Sequence, residues 1–186
     1  MKKNSRYFIA LLCTVLVAAA CKKDDKPVNT PPPPANEEEL ITTFKITFTD
    51  PNGVNPEVTA VFRDIDGPGG NEPTAFDTIR LLPNTLYNGS IEFLNESVTP
   101  SESITEEIQE EAVDHLICFA IANVNTTIVR TDTDGTYEIG LLSNWTTGAA
   151  SEGNVTITLR HQPGVKNGQC EVGDSDIELN FRTIVE

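Results

Sequence analysis

The chain has 186 residues, with 28 Asp and Glu against 13 Lys and Arg, for a formal net charge of −15. A chain this acidic, with no Lys/Arg cluster to offset it, repels phosphate backbones, so nucleic acid is excluded as a partner.

Lys2, Lys3 and Arg6 precede an apolar run from Tyr7 to Ala20, 14 residues long. Crossing a hydrocarbon layer of ~30 Å takes about 20 residues. The run therefore reads as a secretory signal over residues 1–20. It ends on Ala18-Ala19-Ala20-Cys21. Small side chains let an extended backbone enter a peptidase cleft, and a thiolate is the nucleophile that lipid transfer needs. The segment resembles the bacterial lipobox, which makes Cys21 the expected lipidation site and mature N-terminus. An ordinary signal peptide with an incidental cysteine is the alternative. Removing residues 1–20 takes away basic side chains and no acids, so the mature chain is more acidic still.

Residues 21–39 carry Lys, Asp, Asn and Thr, the run Pro31 to Pro34, and the acids Glu37 to Glu39. Such a segment has little to bury, and its prolines favour a stiff extended chain. It is expected to be a tether that lifts a single domain, residues 40–186, off the membrane.

Within that domain the dominant period is two. Phe44, Ile46 and Phe48 alternate with Lys45, Thr47 and Thr49, and Val58, Ala60 and Phe62 follow the same rule. So do Val155, Ile157 and Leu159, and Ile177, Leu179 and Phe181. Weaker runs lie at 76–82, 87–94, 116–122, 126–131 and 136–142. Strands with one buried and one wet face belong to antiparallel sheets. Regular turn segments between them point to an all-β, antiparallel, immunoglobulin-like sandwich of about 8–9 strands. One segment departs from the rule. In SESITEEIQEEAVDHL, Ile104, Ile108, Ala112 and Leu116 recur every four residues, and Ser103 with Glu106 fits a capping box. A short helix over about 103–113 is expected, crossing from one sheet to the other.

Cys13 leaves with the signal and Cys21 is used for lipid, so Cys118 and Cys170 remain. In an oxidising compartment they form a natural disulfide; two buried free thiols are the alternative. Enzyme signatures are missing: the sequence has no GxSxG, HExxH or phosphate-binding glycine loop. No enzymatic activity is expected.

Two histidines stand out. His161 continues the inward parity of Val155, Ile157 and Leu159, and His115 sits at a helix–strand junction. Neutral imidazoles at element ends suit a transition metal or haem iron. Two hydrogen-bonded histidines at separate edges of the core are the simpler reading. Asp64 and Asp66, with Asn71 and Glu72, offer a fragment of a calcium loop, as do Asp50-Pro51-Asn52-Gly53 and Asp132-Thr133-Asp134-Gly135. Asp134-Gly135 also fits a two-residue hairpin turn with no metal. Trp145 is expected either in the core or, on an exposed loop, as a carbohydrate or protein contact.

Cys21-Lys22-Lys23-Asp24-Asp25 looks like the surface-export signal of Bacteroidota lipoproteins, in which a lysine and two acids, matched by Lys23, Asp24 and Asp25, follow the lipidated cysteine. The domain resembles a family of small, functionally uncharacterised Bacteroidota surface lipoproteins over most of residues 37–183. The resemblance is carried by EEELITTFKITFTD, VFRDIDGPGGNEP, NTLYNGSIEFLNES, ITEEIQEEAVDHL, SNWTTGAASEGNVTITLRHQP and SDIELNF. It implies a lipid-anchored outer-membrane protein facing the cell exterior and supplies no catalytic residues. The type 1 periplasmic binding fold sometimes ascribed to such proteins is not expected, because the alternating strands argue against an α/β architecture. The expected role is a non-catalytic binding or accessory module that meets an extracellular ligand or an outer-membrane transporter. A metal- or haem-capturing lipoprotein using His115 and His161, and a purely structural surface module, are the alternatives.

Overall fold

The computed structural model describes residues 40–67 and 69–186. Backbone contacts divide the chain into Met1–Pro33 and Pro34–Glu186, and every described residue falls in the second unit. The expected signal peptide, the whole of the expected tether (21–39), Cys21 and Lys23-Asp24-Asp25 lie outside the described residues.

The described residues form an all-β sandwich. In chain order its elements are β1 (Thr43–Thr49), β2 (Val58–Arg63), β3 (Ala75–Phe76), β4 (Ile79–Leu81), β5 (Leu86–Asn95) and β6 (Glu102–Ser103). Helix α1 (Ile104–Glu110) follows, then β7 (His115–Ala122), β8 (Thr126–Arg130), β9 (Leu142–Thr147), β10 (Ser151–His161) and β11 (Asp174–Val185). One sheet has the order β3-β2-β1-β5-β9-β8 with β6 on β5, and the other has β4-β11-β10-β7. All pairs are antiparallel except β4 with β11. The count exceeds the expected 8–9 because β3, β4 and β6 are fragments of two or three residues.

The period-two strands pack as their alternation dictates. Phe44, Ile46 and Phe48 of β1 are fully buried, as are Val155 and Leu159 of β10 and Phe181 of β11. The two sheets meet through aromatic contacts: Phe44 against Phe181 at 5.3 Å between ring centroids, and Phe119 against Trp145 at 5.8 Å. Trp145 is thus a core residue of β9, with no exposed surface.

Helix α1 is shorter than the expected 103–113. Ser103 caps it by accepting a hydrogen bond from the Glu106 N–H, and Ile104 and Ile108 face the core. Its apolar period does not carry it further. Glu111 ends the helix, the chain turns through 112–114, and Leu116 belongs to β7. As expected, the helix carries the chain from the first sheet to the second.

The run at 136–142 is not a strand. Gly140 takes a φ of +100° and breaks the extended chain. The carbonyls of Ile139 and Leu141 then accept from Ile117 N–H of β7 and Ile91 N–H of β5, tying together strands of opposite sheets. At Asp134-Gly135 a hairpin forms, with Gly135 at φ +99° in the first central position of the turn, where a II′ turn favours glycine. Asp134 opens that turn instead of occupying its centre.

Candidate functional site

Two places concentrate chemistry. At the first, the turn after α1 delivers His115 to the start of β7, directly opposite His161 at the end of β10. Both share the parity of Ile117 and Leu159, so both point to the core side of their sheet. The imidazoles stack with centroids 4.8 Å apart and planes 7° from parallel. The histidines therefore do not occupy separate edges of the core, as the simpler reading had it; antiparallel register makes them a cross-strand pair.

His115 is 1% exposed. Its Nδ1 lies 3.1 Å from the Glu111 backbone carbonyl, which can only accept, so Nδ1 carries the proton. That fixes the tautomer and leaves a lone pair on Nε2, which is buried with no hydrogen-bond partner among the described residues. An unsatisfied buried acceptor of this kind costs about 1–3 kcal/mol. Burial holds the His115 pKa below the usual histidine value, and the neighbouring His161 pushes it the same way. The ring is a neutral imidazole around pH 7. The Glu111 carboxylate completes the group: ligand atoms of Glu111, His115 and His161 lie within 4.8 Å of one another. Sequence reading missed Glu111, although its i, i+4 spacing to His115 was a signal for it.

The turn leading into His115 is braced from outside. Lys166 Nζ donates to the Ala112 carbonyl at 2.8 Å and to Asp134 Oδ2 at 2.7 Å, and both charged side chains are only 3% exposed. Lys166, with the Tyr137 N–H, holds the Asp134 carboxyl at a pKa of about 2. Because the folded pKa is depressed, the stability this group adds is complete above pH ~4 and is lost as pH falls toward 2. Lys166→Met should lower unfolding free energy at pH 7 by about 2 kcal/mol. That is less than a fully abandoned buried charge, since Asp134 keeps its Thr136 and Tyr137 N–H donors. Urea denaturation from pH 7 to pH 3 checks both points, because the variant should also lose part of the acid sensitivity.

The second place is a cleft of about 720 Å³ between the β2–β3 edge of one sheet and β11 of the other. Leu40, Ile41, Phe62, Phe76, Ile177 and Leu179 give it apolar walls. Asp64, Asp176 and Glu178 also line it. A register shift after Leu159 marks a bulge on β11 at this level, a device that re-aims side chains. Asp64 is buried, and its Oδ1 has no hydrogen-bond partner among the described residues. Burial raises its pKa, as do a hydrogen bond with Asp66 and that group's charge. Asp66 shifts the opposite way, because the Asn71 N–H and side-chain amide both donate to it. The two carboxyls are thus split into a more readily protonated Asp64 and an anionic Asp66.

Asp64 and Asp66 are not members of the histidine group, so the candidate ligands fall into two separate sets. Asp64 apart, aspartates of the calcium-loop fragments already accept hydrogen bonds from their own turns or from Lys166. Asp50 accepts from Asn52 N–H and from Asn55 N–H and Nδ2, Asp66 from Asn71, and Asp134 from Thr136, Tyr137 and Lys166. A calcium ion would have to displace these donors. Cys118 and Cys170 are bonded, pinning the 162–173 connection to β7.

Comparison with protein families, curated proteins and solved structures finds no match. Among the described residues, no helix is long and apolar enough to cross a membrane.

Proposed function

We propose that the chain is a lipid-anchored lipoprotein of the outer membrane, facing the cell exterior, whose sandwich is a non-catalytic binding module using the cleft beside β11. The anchoring rests on the Cys21 lipobox, the orientation on Lys23-Asp24-Asp25, and the lack of catalysis on the missing enzyme motifs. The binding role rests on one observation: a cleft with apolar walls is also lined by a buried carboxyl, Asp64, one of whose oxygens has no hydrogen-bond partner among the described residues. A volume of about 720 Å³ falls in the range of small-molecule sites. Walls of this kind take an apolar body, and Asp64 asks it for a cationic or hydrogen-bond-donating group. An outer-membrane transporter is the partner to which such a module would deliver its ligand.

The test uses the purified full chain in detergent, titrated with tryptamine and with its uncharged hydroxyl analogue. The amine should bind at least about tenfold more tightly, and Asp64→Asn should abolish that preference. Equal affinity of wild type and variant for the amine would refute the cleft reading. Cys21→Ser, followed by palmitate labelling, tests the anchor separately.

A further inference from the structure

We propose that Glu111, His115 and His161 form a binding site for a borderline divalent transition cation such as Zn²⁺ or Cu²⁺, separate from the cleft. Two imidazoles and a carboxylate are the donor set these ions prefer, and three protein ligands leave a position open for water or a further ligand.

His115 is held in the tautomer a metal ligand needs. In metal-binding histidines, the ring nitrogen away from the ion commonly donates to a backbone carbonyl, which fixes tautomer and orientation. His115 has this arrangement, with Nδ1 on the Glu111 carbonyl and a buried, unpartnered Nε2. Glu111 thus orients the His115 ring through its backbone carbonyl and offers its carboxylate as a ligand. Stacking alone explains the ring contact but leaves Nε2 with nothing to bind.

The geometry calls for a small closure. Atoms coordinated at ~2.1 Å to one ion lie no more than ~4.2 Å apart, against the 4.8 Å limit found here. Stacked rings also hold their lone pairs in nearly parallel planes, so one ring must tilt for both to meet one ion. His115 is buried and anchored, whereas His161 is half-buried at a strand end and Glu111 is exposed. These two can move. The chain's net charge of −15 favours cation approach.

The experiment titrates the chelator-treated full chain with Zn²⁺ by calorimetry, and with Co²⁺ by visible absorption as a reporter of coordination. One equivalent should bind, and His161→Ala and Glu111→Gln should each weaken it by at least about tenfold. His115→Ala is left aside because its burial makes misfolding an alternative cause; circular dichroism melts verify the fold of the other two. The proposal is overturned if wild type binds no stoichiometric Zn²⁺, or if either variant binds within about twofold of wild type. It is also overturned if Asp64→Asn loses binding equally, which would move the ion to the acidic cleft.

Discussion

Trp145→Ala is expected to destabilise the sandwich by about 3–5 kcal/mol, the range for removing a large aromatic from a packed core. The indole has no exposed surface and packs edge-on against Phe48 at 4.9 Å and Phe119 at 5.8 Å, one partner from each sheet. Truncation therefore opens a cavity across the inter-sheet layer. It also removes the Nε1–H bond to Ser143 Oγ at 3.0 Å, leaving a buried hydroxyl without its donor. Trp145→Phe keeps most of the contact and should cost about 1–2 kcal/mol, chiefly from the lost hydrogen bond and residual void. Gly89 on the neighbouring strand makes room for this arrangement: a Cβ there would lie 3.0 Å from Ser143 Oγ and 3.1 Å from Trp145 Nε1. Urea unfolding followed by far-UV circular dichroism measures both variants. The chain has a single tryptophan, so wild-type fluorescence independently reports this site's solvent exposure. A loss below about 1 kcal/mol for the alanine variant would mean that the core collapses onto the cavity.

The same strand shows where sequence reading stops. Alternation revealed β1, β2, β10 and β11 because their inward residues are apolar and their outward ones polar. In β9 the polarity is inverted. Ser143 and Thr147 point inward with Trp145, while Leu142 lies outward at 49% exposure. Polar groups are tolerated inside because each is satisfied: Ser143 by the indole, and Thr147 by donating to the Leu82 carbonyl and accepting from Thr85 N–H. Such pairing depends on strands distant in sequence, so no local period announces it. Asn88-Gly89 is similar, since a turn-favouring dipeptide lies inside β5 where the tryptophan needs the space.

The candidate sites divide the same way. The inward parity of His161 is a local property and could be read from β10 alone. That His115 sits opposite it follows from β7–β10 register, which joins segments some forty residues apart and is set by packing along the whole ladder. Glu111, the C-cap of the helix, joins them through its i, i+4 spacing to His115 across the turn at 112–114. The cleft is a product of two sheet edges, so none of its lining could be grouped before the sheets were assembled. The Asp64 motif reads locally as a calcium-loop fragment, yet its chemistry is that of a buried acid beside apolar walls.

Loss of the Cys118–Cys170 bond should remove about 3–4 kcal/mol of stability. The bridge joins residues 52 apart, and closing a loop of that length limits the unfolded chain by ~4 kcal/mol in the chain-entropy description. Its folded-state role is local. Cys118 lies on the side of β7 away from the inter-sheet core, with Leu116, and Cys170 belongs to the connection between β10 and β11. That connection has other supports: Gln162 Nε2 donates to the carbonyls of Gln169 and Val172, and Lys166 reaches Ala112 and Asp134. The folded geometry should therefore survive reduction, with the penalty falling mainly on the unfolded state. Cys118→Ala/Cys170→Ala and reductant-treated wild type should show the same lowered urea midpoint, and reductant should leave the double variant unchanged. If reduction leaves the wild-type midpoint in place, the bridge makes no contribution, and the 162–173 connection is held by its hydrogen bonds alone.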